Sequence, residues 1–168
     1  MFSVICRIAP KIQGILLISR DLDKIDQRIL HELEANGRLS IVELAARVNL
    51  TNTPCSERVK RLEKNGYIKG YRAVVDKERM GLALLTVVQV SLVATAEQSL
   101  VRFNDAVRNV SEIESCLMVA GSFDYLLTVR TRDIAHFRLV LGEKINKLPG
   151  IHQTSSFTVM EIVKEPVG

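Results

Sequence analysis

Tryptophan is absent from the 168 residues, and five Phe and three Tyr make up the whole aromatic complement. A surface that binds nucleic acid by stacking bases on aromatic rings is therefore disfavoured. Cysteine is scarce too. Cys6, Cys55 and Cys116 are odd in number and far apart, so they make neither a disulfide framework nor a zinc site of paired CxxC ligands. A reducing compartment is the simpler inference. No run of about eighteen uncharged apolar residues occurs, which excludes a helical membrane span. The motifs GxxxxGK[ST], GxSxG and HExxH are all missing. His31, His136 and His152 fall in separate predicted elements, and Asp124 with Glu112 and Glu114 lacks the spacing of an EF-hand loop. Neither an enzyme, a catalytic residue, a metal site nor a cofactor is expected. What remains is 47% hydrophobic and 25% charged, a balance that excludes a disordered or fibrous chain and suits globular domains.

The net charge of +4 is mild, but its distribution is uneven. Between Arg47 and Arg72 stand Arg47, Arg58, Lys60, Arg61, Lys64, Lys69 and Arg72 against only Glu57 and Glu63. Concentrated positive charge attracts phosphate. A solvated helix face with i,i+4 pairing would give the same charge count. Residues 1–20 carry Arg7, Lys11 and Arg20 with no acid. Their apolar stretch is interrupted by Pro10, Lys11 and Gln13 and lacks a small-residue cleavage site, unlike a signal peptide. They read as an N-terminal extension outside the folded core.

Residues 21–76 predict three helices and a hairpin. Asp23 can cap the first, with Asp26 as the acidic partner three residues on. Ile25, Ile29, Leu30 and Leu33 form its apolar stripe, and Asn36-Gly37 ends it. Ser40 and Glu43 make a second capping box, opening a short helix with Val42, Leu44, Ala45 and Val48 inward. Asn49 then supplies the left-handed residue a tight turn needs. Thr51 can cap a third helix, in which Cys55, Val59 and Leu62 recur at i, i+4, i+7, marking Cys55 as a core residue. The opposite face presents Thr53, Ser56, Lys60 and Lys64, flanked by Asn52 and Arg61, with Arg58 adding charge. Residues 67–75 alternate around Gly70, suiting a two-stranded wing. A short helix, a tight turn and a longer helix with a basic outer face constitute a helix-turn-helix with a recognition helix. Such a helix enters the major groove of double-stranded DNA, where Asn and Ser bond base edges and Lys and Arg neutralise phosphates. A three-helix bundle with a merely solvated third helix is the plainer alternative.

Residues 77–83 are charged, contain Gly81 and break the periodicity, which marks a linker. Residues 84–164 change to alternation. Val88, Val90 and Leu92 mark a strand. Leu100, Phe103, Val107 and Val110 mark a helix. Cys116, Met118 and Ala120 alternate with Leu117 and Val119, and Gly121-Ser122-Phe123 connects them to Tyr125, Leu127 and Val129. Ile134, Phe137, Leu141, Ile145 and Leu148 mark a second helix that Pro149-Gly150 ends, and Phe157 and Val159 a last strand. The order β-α-β-β-α-β is the ferredoxin-like arrangement of four antiparallel strands with helices on one face. The fold class is thus α+β, an N-terminal winged helix-turn-helix joined to a C-terminal ferredoxin-like domain. Its uncovered sheet face, with Leu117, Val119 and Leu126, predicts self-association as a homodimer. A twofold dimer suits pseudo-palindromic promoter sites.

Three stretches of the chain resemble the Lrp/AsnC family of transcription regulators, closest to its leucine-responsive branch. They are Asp21-Leu22-Asp23-Lys24-Ile25-Asp26, residues 49–63, and Gly121-Ser122-Phe123-Asp124-Tyr125-Leu126-Leu127. The resemblance spans residues 21–164. It implies an octamer or similar assembly, a cytoplasmic, nucleoid-associated location and a free amino acid such as leucine or methionine as effector. It places that effector near Gly121, Phe123 and Asp124, with Thr154, Ser156 and Phe157 as further candidates. An acceptor carboxylate suits an ammonium, and amides beside a glycine turn suit a carboxylate. For Asp124 alone, a turn residue bonding backbone is the competing role. Three positions depart from the family pattern. Asn49 stands where glycine is frequent, Asn52 where proline is, and Asn146 where leucine-responsive relatives carry an apolar residue. A sensor whose helical part contacts protein, and a chromatin-compacting protein with little sequence preference, share these features.

Overall fold

The structure, a computed structural model, describes residues 22–164; the N-terminal extension lies outside them. The described residues form two compact units that divide between Val74 and Val75.

The first unit consists of helices α1 (Lys24–Ala35), α2 (Ile41–Val48) and α3 (Asn52–Lys64). Ile29, Leu44, Ala45, Val48, Cys55, Val59 and Leu62 form its buried core. The Ser40 box forms in full. Ser40 Oγ accepts from the Glu43 amide at 3.2 Å, and Glu43 Oε2 accepts from the Ser40 amide at 2.8 Å. Asn49 adopts φ 58°, ψ 46° and closes α2 on Ala45 and Ala46 carbonyls. Four expectations are corrected here. Val42 is 62% exposed, and Ile41 packs on the core instead, since 41, 44, 45 and 48 share one helical face. Thr51 occupies the cap of α3 without a side-chain bond to it. Asp23 caps α1 by accepting from the Asp26 amide at 2.8 Å, but the Asp26 carboxylate turns elsewhere. The wing has no ladder: residues 67–76 contain no paired strand. Gly66, at φ 76°, ends α3 in a Schellman turn, with Gly66 and Tyr67 amides bonding the Glu63 and Leu62 carbonyls. Tyr71 then folds back, its hydroxyl donating to Glu63 Oε1 at 3.0 Å. An isolated two-stranded ribbon is marginal in water, and this segment is tied down by its side chain instead.

The second unit begins with a turn of residues 77–81 closed by Gly81 at φ 77°. It continues as β1 (Leu84–Leu92), α4 (Glu97–Val107), β2 (Ile113–Met118), β3 (Tyr125–Thr131), α5 (Ile134–Val140) and β4 (Ile151–Thr158). The four-stranded sheet has the order β2-β3-β1-β4, and all its pairs are antiparallel. Val88, Val90, Leu92, Tyr125, Leu127 and Val129 point from one face onto Phe103, Val107, Phe137, Val140, Ile145 and Leu148. The second helix is not the continuous stripe expected. After Val140 it widens into a π turn, Leu141–Ile145, and Ile134 is 57% exposed. Val140 and Ile145 are five residues apart, and an i→i+5 turn brings both onto the core where an α-helix would diverge.

The αL geometry at Asn49 makes a direct prediction. Asn49→Val costs about 1–2 kcal/mol in urea denaturation, while Asn49→Gly is near neutral.

Candidate nucleic-acid interface and ligand cleft

Helix α3 is fastened to α1 by a carboxylate that the solvent does not reach. Asp26 is 1% exposed. Its Oδ1 accepts from Arg58 Nη1 at 2.8 Å and its Oδ2 from Arg61 Nη2 at 2.7 Å. Asp23 also accepts from Arg58 Nη1, at 2.5 Å. The Asp26 amide and the Arg58 guanidinium hold the Asp23 carboxyl below its usual pKa. A buried carboxylate is tolerable because two guanidinium groups face it. Sequence reasoning missed this pairing. Its signal was present: Asp23 and Asp26, and Arg58 and Arg61, each stand at i,i+3 and so share a helix face.

The network sorts the basic window. Arg47 bonds Glu32 at 2.9 Å, and Arg58 and Arg61 face Asp26. Among the described residues, no ion pair involves Lys60, Lys64, Lys69 or Arg72. Asn52, Thr53, Lys60, Arg61 and Lys64 are exposed and Ser56 is half-buried, whereas Cys55, Val59 and Leu62 are buried. Arg58, counted among the DNA-contacting residues from sequence, is turned inward, its side chain 24% exposed.

In the second unit Asp124 rivets the β2–β3 connection to the end of β1. Its Oδ2 accepts from the Leu92 amide at 2.7 Å, and its own amide donates to the Val90 carbonyl at 2.9 Å. The β1–β3 pairing ends at Val90 and Tyr125, and this carboxylate holds the next β1 amide on that side; on the other side the β1–β4 ladder shifts register between Ser91 and Leu92. Gly121 is exposed, and a Cβ there would meet nothing within 4 Å. Phe123 lines a polar cleft of about 150 Å³ with Gln89, Ser91, Ser122, Gln153 and Ser155. Strand alternation separates the remaining candidates. Thr154 and Ser156 pair with Val90 and Val88 and share their face, where Thr154 Oγ1 donates to Asn146 Oδ1 at 3.3 Å. Phe157 lies on the opposite face beside Val87 and is 53% exposed. Within one chain the six effector candidates therefore do not converge on one pocket. The polar cleft residues went unnoticed, although Gln89/Ser91 and Gln153/Ser155 each alternate on the sheet's outer face. That face also carries Leu117, 56% exposed, opposite Leu126. Among the described residues there is no cluster of three His, Cys, Asp or Glu able to hold a metal, and no helix long and apolar enough to cross a membrane.

Comparison with known proteins gives matches over both units. The family described as winged helix-turn-helix DNA-binding matches residues 22–69, and the Lrp/AsnC ligand binding domain matches residues 85–167. The proline dehydrogenase transcriptional activator of Rhizobium radiobacter is 50% identical over 145 residues, covering 86% of this chain and 93% of that protein. The leucine-responsive regulatory protein of Escherichia coli (strain K12) is 45% identical over 146 residues, covering 87% and 89%. A crystal structure of a transcriptional regulator from Neisseria meningitidis in complex with L-Met superposes with a TM-score of 0.81 at 34% identity, covering 86% of this chain and 93% of that one.

Removing the buried carboxylate tests the fastening of α3. Asp26→Ala costs about 2 kcal/mol in chemical denaturation, less than breaking a fully buried pair because Arg61 reaches solvent.

Proposed function

The chain belongs to the Lrp/AsnC family of transcription regulators, and from that premise we propose how its two parts divide the work. The protein is a regulator with a helix-turn-helix DNA-binding part and a ligand-binding part, and not an enzyme. In our reading the parts are residues 21–76 and 84–164, joined by 77–83. Helix α3 lies in the major groove. Asn52, Thr53 and Ser56, near its N-terminus, approach base edges, and Lys60 and Lys64 neutralise phosphates. Arg61 orients the helix through Asp26 and reaches toward the backbone with its exposed side, while Arg58 serves the helix alone. The observation that carries this reading is the division of α3: one face buried, one arginine pair fastened inward, and Lys60 and Lys64 without an ion-pair partner among the described residues.

The effector is a free amino acid, leucine, methionine or a similar one, and it lowers or raises DNA affinity. Gly121, Phe123 and Asp124 contribute from the β2–β3 connection, Phe123 lining the cleft, while Thr154 and Ser156 contribute from the other face of β4 and Phe157 from its outer face. Because these groups fall on both faces of one sheet, the full site needs a second copy. The outer face of the sheet, with Leu117, Leu126 and Phe157 partly uncovered, is the surface on which two chains pair. A dimer, assembling further to an octamer, places two α3 helices on a pseudo-palindromic promoter site in the cytoplasm.

The test is gel-shift binding to the DNA upstream of the protein's own gene. Lys60→Ala weakens binding and lowers the slope of log affinity against log salt by about 1, with the assembly unchanged. Ser56→Ala narrows the preference for the specific site over random DNA. Equal affinity of Lys60→Ala and the native chain contradicts the assignment. A free amino acid shifts the native binding curve, and indifference to every amino acid contradicts the effector reading.

A further inference from the structure

A cavity of about 450 Å³ lies between α4 and the edge strand β2, away from the Gln89–Gln153 cleft. At its floor stands Tyr125, 1% exposed, whose ring packs on Phe103 with centroids 4.4 Å apart. The Tyr125 hydroxyl is buried and has no hydrogen-bond partner among the described residues. Asn104, on the same wall, is close enough to pull on its titration, yet the contact misses hydrogen-bond geometry. Buried hydroxyls are rarely left unmatched, and an orphan at the floor of a cavity marks a place for an absent acceptor. The space exceeds by far what a single water fills.

The rest of the lining specifies that acceptor. Asn104 offers an amide, and Arg108 a guanidinium whose ion pair among the described residues is an exposed one with Asp105, the weak kind that a ligand displaces. Val107, Ile113 and Met118, the last 44% exposed, supply an apolar wall. Glu114 borders the space, but Arg130 and Lys77 answer its charge at 3.4 and 3.5 Å. Three donors around an apolar wall fit a group that accepts hydrogen bonds and donates none. We propose that this cavity binds a small carboxylate with a short aliphatic chain, through the Tyr125 hydroxyl, the Asn104 amide and the Arg108 guanidinium. Burial pushes the Tyr125 pKa up to about 12, so at neutral pH the hydroxyl is a donor. The site is separate from the amino-acid cleft proposed above, and the two stand or fall independently.

Isothermal titration of the full chain tests it, with butyrate, hexanoate, 4-methyl-2-oxopentanoate and leucine as separate titrants. The proposal predicts saturable binding of at least one of them. Tyr125→Phe, which keeps the ring and its packing, weakens that binding roughly tenfold, the worth of one hydrogen bond. Its melting temperature does not fall, because the variant loses only an unmatched hydroxyl. Arg108→Ala, at a solvent-exposed position, weakens the same binding. Binding of the oxo or simple acids with leucine weaker or inert supports a plain carboxylate ligand; tighter binding of leucine, whose ammonium the three donors cannot meet, contradicts it. No heat from any titrant at millimolar concentration, or equal affinity in Tyr125→Phe and the native chain, overturns the proposal.

Discussion

One buried carboxylate sets the geometry on which DNA recognition depends. Asp26 lies on α1, yet both of its oxygens are taken by arginines of α3, at 2.8 and 2.7 Å. Apolar packing of Cys55, Val59 and Leu62 holds α3 against the core but fixes its rotation loosely, since hydrophobic burial is non-directional. Two charge-assisted hydrogen bonds to a fixed acceptor supply the direction. With Arg58 and Arg61 turned toward α1, Lys60 and Lys64 face outward, and the Asn49 turn sets the angle at which α2 delivers the chain to α3. In the reading proposed for α3, specificity of groove readout follows from that orientation, because side chains reach base edges only over a narrow range of helix rotation.

The second unit is organised by an analogous device. The Asp124 carboxylate holds the Leu92 amide at the point where the β1–β4 ladder shifts register. Thus a residue that the family resemblance offers for ligand binding already has one oxygen bonded to the backbone. A ligand at this turn would couple to the ends of three strands, β1, β3 and β4, because Val90 pairs with both Tyr125 and Thr154. That adjacency provides a physical route from a ligand at the turn to the sheet edge.

Much of this was legible in the residues. Capping at Ser40, the left-handed Asn49, the buried stripe of α3 and the alternating strands all follow local rules that the chain obeys. What escaped was mostly decided by partners distant in sequence. One miss was local: Val42 and Ile41 are both apolar, and the 41, 44, 45, 48 spacing that selects Ile41 was open to the sequence but not followed. The charge of Arg58 was visible, but the carboxylates it pairs with lie 32 and 35 residues away. The paired ladder of the wing is absent: alternation shows that residues 67–75 could pair, but not that Tyr71 would dock on Glu63. The π turn of α5 hid in a five-residue gap that reads as ordinary spacing until both ends are required in one core. The effector candidates, carried over by resemblance, gave identities without faces, and alternation along β4 then divided them.

The most direct test of the central claim is lysine footprinting of the DNA complex, in which acetylation rates are read by mass spectrometry with and without bound promoter DNA. The account predicts that Lys60 and Lys64 become protected while Lys147, in the ligand-binding part, reacts as before. Unchanged reactivity of Lys60 and Lys64 in the complex would contradict it, because α3 would then not be the element against the DNA.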